Sequence, residues 1–403
     1  MNLVKATYLP NEIIAIFRQA PKIWNHKQKL VLLWVIYSHI LCEKKHTIRN
    51  LSKKTGAAAP EWKIRMLFKA TNWCLHSLLQ WLSESAMNCY SPPDDRVIRL
   101  VGDGSHKEKK GKKSEVNQNL KKKRNSVCLF GFKFILLMAS WNKYKFPVNY
   151  RVQYPKGHKK YKKENELFRE MIAEFNPPEW VKEIIVICDS GFASVENFKQ
   201  IEKLDLLSEK IRWRFVFSLP KTWKTGAGKH LKNIVKHTRS SLYRRVWINK
   251  MDKNNTRKSY WVFKQNIHLK HIGEVTIVLS KKRPNASPKN TKIIVTNLEN
   301  ASERDILCEY QRRWPVEIVF KELKSGLGLG ETQITGEKEA IEKASGMSVI
   351  TYLVIMILMK DRVQKEPSLS VFTLKDELKL MFMIRQTKHS IRLATIKAGK
   401  QAA

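Results

Sequence analysis

The stretch "YQRRWPVEIVFKELKSG" at 310–326 sets Tyr310, Arg313, Glu317 and Lys324 three, four and seven residues apart. At 100° per residue of an unbroken helix, the four fall within an arc of about 60°. A carboxylate on such a face could hold a metal ion while its cationic neighbours grip phosphate. The same pattern suits an amphipathic surface helix with solvent ion pairs. Pro315 removes one helical hydrogen bond and puts a kink between Arg313 and Glu317, so a shared face follows only for Glu317 and Lys324. Val316, Val319, Phe320 and Leu323 group on other faces, as a half-buried helix requires.

Two aspartates upstream could complete that chemistry. Asp103 closes the apolar run "VIRLVGDG", and Asp189 closes "EIIVICDSG". A carboxylate at the end of a buried strand is costly unless it is solvated or faces a cation. Either one alone could simply start a turn or cap the next helix. If the two strands are neighbours, a spacing of roughly 5 Å lets both carboxylates reach one divalent ion. Mg²⁺ takes oxygen ligands and keeps several waters. Two-metal phosphodiester chemistry needs a third carboxylate, and Glu317 is the candidate.

The elements that must position these residues follow from pattern. Residues 1–95 carry helical runs rich in Leu, Ile and Trp and end at the breaker "SPPDD". Within them "TIRNLSKKTGAAAPEWKIRMLFKATNW" reads as two helices about a turn at Gly56. That is either a helix-turn-helix with its second helix in a DNA groove, or a small bundle with a solvated basic face. Three strands, a helix ("KKENELFREMIAEF") and the buried strand ending at Asp189 come next, an order that predicts a mixed α/β sheet covered by helices. Short strands follow over about 221–300, a β-rich insertion. Helix returns at Ser302, a good N-cap. The expected domains are thus 1–95 helical, 96–345 with the insertion, and 346–403 helical and basic.

Composition points to the partner. Among 403 residues, 76 Lys and Arg face 36 Asp and Glu, a formal net charge of +40. That calls for a polyanion, nucleic acid first. The apolar runs at 30–42 and 347–359 fall short of the roughly 20 residues of a spanning helix, and the N-terminus lacks the pattern of a signal peptide. A cytoplasmic chain with no membrane partner is expected. The six cysteines have no C-x-x-C pair and read as reduced core residues. His268 and His271 lack partners at zinc-finger spacing. The runs "KEKKGKKSE", "LKKKRN" and "KGHKKYKK" are either solvated loops or a phosphate-binding approach to the site.

Together, "GDGS" at Asp103, "CDSGF" at Asp189 and the Tyr-x2-Arg-x3-Glu-x6-Lys spacing resemble the DDE transposases of bacterial insertion sequences, in particular the insertion sequence four-type branch with its Y-R-E-K signature. The resemblance covers roughly 97–345. It implies a ribonuclease H-like catalytic domain with a β-rich insertion before the glutamate. It implies that Asp103, Asp189 and Glu317 bind two Mg²⁺ ions, with Mn²⁺ able to substitute, and that Tyr310, Arg313 and Lys324 contact DNA phosphates. Implied too are Mg²⁺-dependent nicking at the ends of the element and transfer of the freed 3′-OH into double-stranded target DNA. An N-terminal region that binds the DNA ends, a dimer in the DNA complex and a bacterial, nucleoid-associated location also follow. Some relatives stack a flipped base on an aromatic residue of the insertion. This chain has Ile293 and Ile294 there, with Trp247 and Trp261 on neighbouring strands. The competing readings are a transposase-derived DNA-binding protein without chemistry, a basic RNA-binding protein, and a ribonuclease H-like nuclease that cuts without joining.

Overall fold

The computed structural model describes residues 8–21, 25–70, 72–109, 114–121, 128–251 and 257–401. The first two lysine runs lie partly outside these residues. Helices come first: α1 (Asn11–Ile16), α2 (His26–Leu41), α3 (Ile48–Thr55), α4 (Glu61–Lys69) and α5 (Leu75–Asn88). Asn25 and Gln28 cap α2 reciprocally, each side chain accepting the other's backbone N–H. Between α3 and α4 the chain turns at Gly56, whose φ is +57°. Ile64, Leu67 and Phe68 of α4 are buried, while Trp62 and Met66 are exposed.

The sheet begins with β1 (Val97–Glu108), β2 (Gln118–Lys121), β3 (Cys128–Trp141) and β4 (Tyr144–Val152), followed by α6 (Glu164–Ala173). Next come β5 (Glu183–Cys188), α7 (Val195–Leu207), β6 (Arg212–Leu219) and α8 (Leu231–His237). The strands β7 (Arg244–Met251), β8 (Arg257–Leu269), β9 (Gly273–Lys281) and β10 (Lys292–Thr296) complete it. The order is β2-β3-β1-β5-β6-β10-β9-β8-β7, with β4 also on β3. β1 runs antiparallel to β3 and parallel to β5, and β5 is parallel to β6. This is the mixed sheet expected. Ile184 to Cys188 are all buried, because a central parallel strand is covered on both faces. The strands expected as an insertion do not stand apart. They extend the same sheet beyond β6, through the antiparallel pairing of β10.

Helices cover both faces. α6 packs on β3 and β4, α7 on β6, and α9 (Glu303–Gln311) on β5 to β8. Ser302 caps α9, accepting from the backbone N–H of Asp305 at 3.2 Å. Behind α9 come α10 (Pro315–Lys321), a π-helical turn (Glu322–Gly326), α11 (Lys338–Leu358), α12 (Lys360–Lys365) and α13 (Val371–Gln401). The apolar run at 347–359 belongs to the longer α11. By length and composition this 21-residue helix could cross a membrane, but 89% of its apolar window is buried inside the protein. It packs against α2, α4, α5, β4 and α13. Not all cysteines are core residues: Cys42 and Cys188 are buried, Cys74 is exposed, and Cys89 and Cys308 lie between.

Candidate active site

Asp103 and Asp189 come together through strand register. Gly102 of β1 pairs with Cys188 of β5 in a parallel ladder, so the two aspartates come next in register on neighbouring strands, whose spacing is roughly 5 Å. Asp189 lies just past the end of β5, but Asp103 does not end its strand as expected, because β1 runs on to Glu108 in its pairing with β3. The bland reading is present for Asp189, which organises the turn after β5, whereas Asp103 lies within β1 and bonds to the next backbone N–H. Asp103 Oδ1 accepts from the Gly104 N–H at 2.8 Å, and Asp189 Oδ1 accepts from the Gly191 N–H at 3.0 Å and the Ser190 hydroxyl at 3.1 Å. These bonds fix the orientation of each carboxylate.

The two glycines beside Asp103 serve α6. Side chains alternate across a strand, so Gly102 and Gly104 face away from Asp103. A Cβ on Gly102 would stand 2.1 Å from Phe168 Cε2, within the ring's own volume. The "GDG" run therefore lets α6 close on one face while the carboxylate points to the other.

On that other face, Arg313 joins the carboxylates. Its Nη1 donates to Asp103 Oδ2 at 3.1 Å and its Nη2 to Glu317 Oε1 at 2.8 Å. Asp103 and Glu317 thus stand within about 8 Å of each other, the reach of one guanidinium with a hydrogen bond on each side. Burial pushes the Asp103 carboxyl up to about 6, with Asp189 and Glu317 adding to the rise and Arg313 and the Gly104 N–H opposing it. At Asp189 burial acts upward too, but the Gly191 and Ser190 hydrogen bonds and the charges of Arg313 and Lys292 outweigh it, leaving that carboxyl below its ordinary value. Three carboxylates therefore share one electrostatic field with Arg313 inside it.

The signature residues do not occupy one ideal helix. α9 ends at Gln311, and the chain crosses 312–314 in tight turns bonded three residues back, Arg313 N–H to Tyr310 C=O at 3.2 Å and Trp314 N–H to Gln311 C=O at 3.0 Å. Pro315 is then the first residue of α10, where its missing N–H costs nothing. After Lys321 the helix widens to a π turn, its extra residue marked by Leu327 N–H bonding to Glu322 C=O at 3.1 Å. The shared face expected for Glu317 and Lys324 assumed an unbroken α-helix, and this turn rotates Lys324 by roughly a few tens of degrees from the ideal position without taking it off that side. Lys324 still reaches β1, donating to Ser105 Oγ at 2.6 Å. Tyr310 is buried, and its hydroxyl accepts from Lys292 Nζ at 3.0 Å.

Several participants were not foreseen. Lys292, at the start of β10, interacts with both Tyr310 and Asp189. Arg99 is buried and grips Glu309 of α9 with Nε at 3.1 Å and Nη2 at 3.0 Å, fixing the helix that leads into Arg313. Glu322 is buried in the π turn, where it accepts from the Val371 N–H at 3.0 Å and the Tyr352 hydroxyl at 3.3 Å. Trp247 is half exposed on β7 beneath the Arg245 guanidinium at 4.3 Å, and Trp261 is partly buried on β8.

Comparison with known proteins gives the family. The model described as "Transposase DDE domain" matches residues 94–353, and the chain belongs to that family. Its structure is similar to that of the piggyBac transposase in a synaptic complex with hairpin DNA, at 10% identity and a TM-score of 0.46, covering 94% of this chain and 77% of that one. At that score the likeness adds nothing to the chemistry of the site. The comparison with curated proteins returned no match.

Among the described residues no three Asp, Glu, His or Cys side chains form a ready-made metal cage. The donor set nevertheless fits a hard divalent ion. It consists of carboxylates without sulfur or imidazole, and Asp103 and Glu317 are already drawn around a cationic stand-in, Arg313.

Proposed function

We propose that this DDE-family transposase cuts DNA at the ends of an insertion sequence and joins the freed 3′-OH to target DNA, with Asp103, Asp189 and Glu317 holding two Mg²⁺ ions. The observation that carries the reading is the gathering of Asp103 and Glu317 about Arg313, beside the strand end that bears Asp189. The strand order and directions around β1, β3, β4, β5 and β6 support a ribonuclease H-like catalytic domain. The spacing of Tyr310, Arg313, Glu317 and Lys324 supports the Y-R-E-K branch.

Bound metal would supply a lowered pKa for the attacking water or hydroxyl and charge neutralisation at phosphorus. The chain's own groups do the rest. Asp103 within β1 and Asp189 just past the end of β5, each fixed by hydrogen bonds from the backbone beside it, present oxygens side by side, and Glu317 closes the third side. Lys324 and Arg313 bind non-bridging phosphate oxygens as charge builds in the in-line transition state. Tyr310 positions: its ring and hydroxyl hold Lys292 toward Asp189. The N-terminal helices, with α4 exposing Trp62 and Met66, bind the element's ends. The partner is double-stranded DNA, held by a dimer. The location is the bacterial cytoplasm, at the nucleoid.

The test is a strand-transfer assay with Mg²⁺ on DNA bearing the inverted repeats that flank the gene. Wild type should give a product in which the element's 3′ end is joined to target, and Asp189→Asn should lose about a hundredfold or more of it. If Asp189→Asn cuts and joins as well as wild type, the metal assignment is wrong. Cutting without joining by wild type would leave a nuclease.

A further inference from the structure

Arg313 stands between two of the three carboxylates. Its guanidinium takes one oxygen from Asp103 and one from Glu317, its side chain is only 14% exposed, and its charge also acts on Asp189. An oxygen that accepts an Nη hydrogen bond at about 3 Å cannot bring a divalent ion to its usual distance of about 2 Å on the same side while the guanidinium stays. Like charges also oppose joint occupancy.

We propose that Arg313 is an internal counter-cation that metal must displace, and that the displaced guanidinium is then taken by a DNA phosphate, so that metal and DNA bind cooperatively through this one side chain. The proposal rests on the metal reading of Asp103, Asp189 and Glu317. The physical reason is a choice of partners. Without DNA, opening the two salt bridges leaves a half-buried guanidinium with no anion, which penalises metal binding. With DNA present, a phosphate diester accepts the same planar fork in two parallel hydrogen bonds. Linkage makes the effect reciprocal, so metal must tighten DNA binding by the factor by which DNA tightens metal binding. The local backbone suits the exchange. Arg313 sits in the tight turn between α9 and α10, with α9 fixed to β1 by Arg99 and Glu309, so the side chain can change partners while its anchor stays in place. Free protein would hold its carboxylates neutralised and would load metal chiefly on substrate.

The experiment measures Mn²⁺ binding by the loss of the free-ion electron paramagnetic resonance signal. Full-length wild type, Arg313→Gln, Arg313→Lys, Arg312→Gln and Asp189→Asn are compared with and without a duplex carrying the element end, after subtraction of Mn²⁺ bound by DNA alone. Without DNA, Arg313→Gln should bind Mn²⁺ at least about fivefold more tightly than wild type and should gain nothing further from DNA, whereas wild type should gain about that factor. Arg313→Lys should fall between, because one ammonium cannot span both carboxylates as the fork does. Thermal melting checks that each variant is folded, and if Arg313→Gln is not, Arg313→Lys carries the test.

Arg312→Gln removes one charge from the adjacent residue, which pairs with Glu309 rather than with the carboxylates of the site. Equal tightening in that variant would mean general electrostatics and would overturn the proposal. So would unchanged or weaker Mn²⁺ binding by Arg313→Gln when wild type binds Mn²⁺ and Asp189→Asn does not, a result that leaves the metal reading intact. No Mn²⁺ binding by any variant, with or without DNA, would remove the metal reading itself.

Discussion

At the scale of single residues, a side chain of α6 sets a steric limit beside Asp103. Phe168 fills the space a side chain at 102 would need. Gly102→Ala should therefore destabilise the protein by about 1–3 kcal/mol, read as a lower denaturant midpoint, and should slow strand transfer because Asp103 is the next residue. Adding Phe168→Leu should recover much of the stability, since the smaller side chain makes room for the methyl group. The end of β5 at Asp189 was legible in the sequence, because an apolar run that stops at a carboxylate marks a strand end; that of β1 was not, since the strand continues past Asp103 to Glu108 on its pairing with β3. Lys292 and Ser105 were not. Each acts through a partner 18 to 219 positions away, and no local pattern encodes that distance. At Asp189 the turn-forming alternative is present, with Oδ1 accepting from Ser190 and Gly191.

At the scale of elements, the path from α9 through α10 to the π turn decides what the signature can reach. Wheel geometry assumes a constant angle per residue, and the segment departs from it twice, at 312–314 and again after Lys321. Pro315 is visible in the sequence as a helix starter or breaker, but a π turn leaves no comparable mark. Its cause is tertiary, the burial of Glu322 against Tyr352 and the start of α13. The clamp between Arg99 and Glu309 should behave as a buried pair. Glu309→Gln leaves Arg99 with Asp95 and the Val97 C=O as partners and should cost about 1–3 kcal/mol in an equilibrium unfolding experiment, whereas Arg99→Met with Glu309→Leu should restore most of that stability yet still impair the placement of Arg313 and hence strand transfer. A second junction predicts a pH dependence. Burial pushes the Glu331 carboxyl up, but the His46 side chain and backbone N–H, with Lys107, overcome it and hold the group at about 2 against an ordinary 4.5. Its folded value lies below its unfolded one, so its contribution is complete above about 4.5 and is lost as pH falls from there to about 2. Melting curves across that range should show Glu331→Gln losing less stability on acidification than wild type.

At the scale of the whole molecule, the proposed function makes charge the determinant of affinity for DNA. A chain with a net charge of +40 that engages six or more phosphates should show a slope of about −5 or steeper when log affinity is plotted against log salt concentration. Replacing Lys159, Lys160 and Lys162 by Gln should make that slope shallower by about one for each phosphate that these lysines neutralise, measured by fluorescence anisotropy on a labelled duplex. Mixed α/β character was readable from the chain, because periodicity is a local property. The continuity of the sheet from β2 to β7 was not, since pairing of β10 with β6 depends on long-range register rather than on composition.

The burial of α11 has a consequence for engineering. Helices that precede the first strand, the strand β4 and the final helix all rest on this one apolar rod, so the part expected to read the DNA ends and the part that carries the carboxylates share an interior. Swapping in the first ninety residues of another transposase to retarget this one would replace half of a packing interface. A chimera would need matching changes at Glu342, Lys343 and Gly346, which meet His76, Ala70 and Leu75, and without them it should fail by aggregation before its sequence preference could be measured.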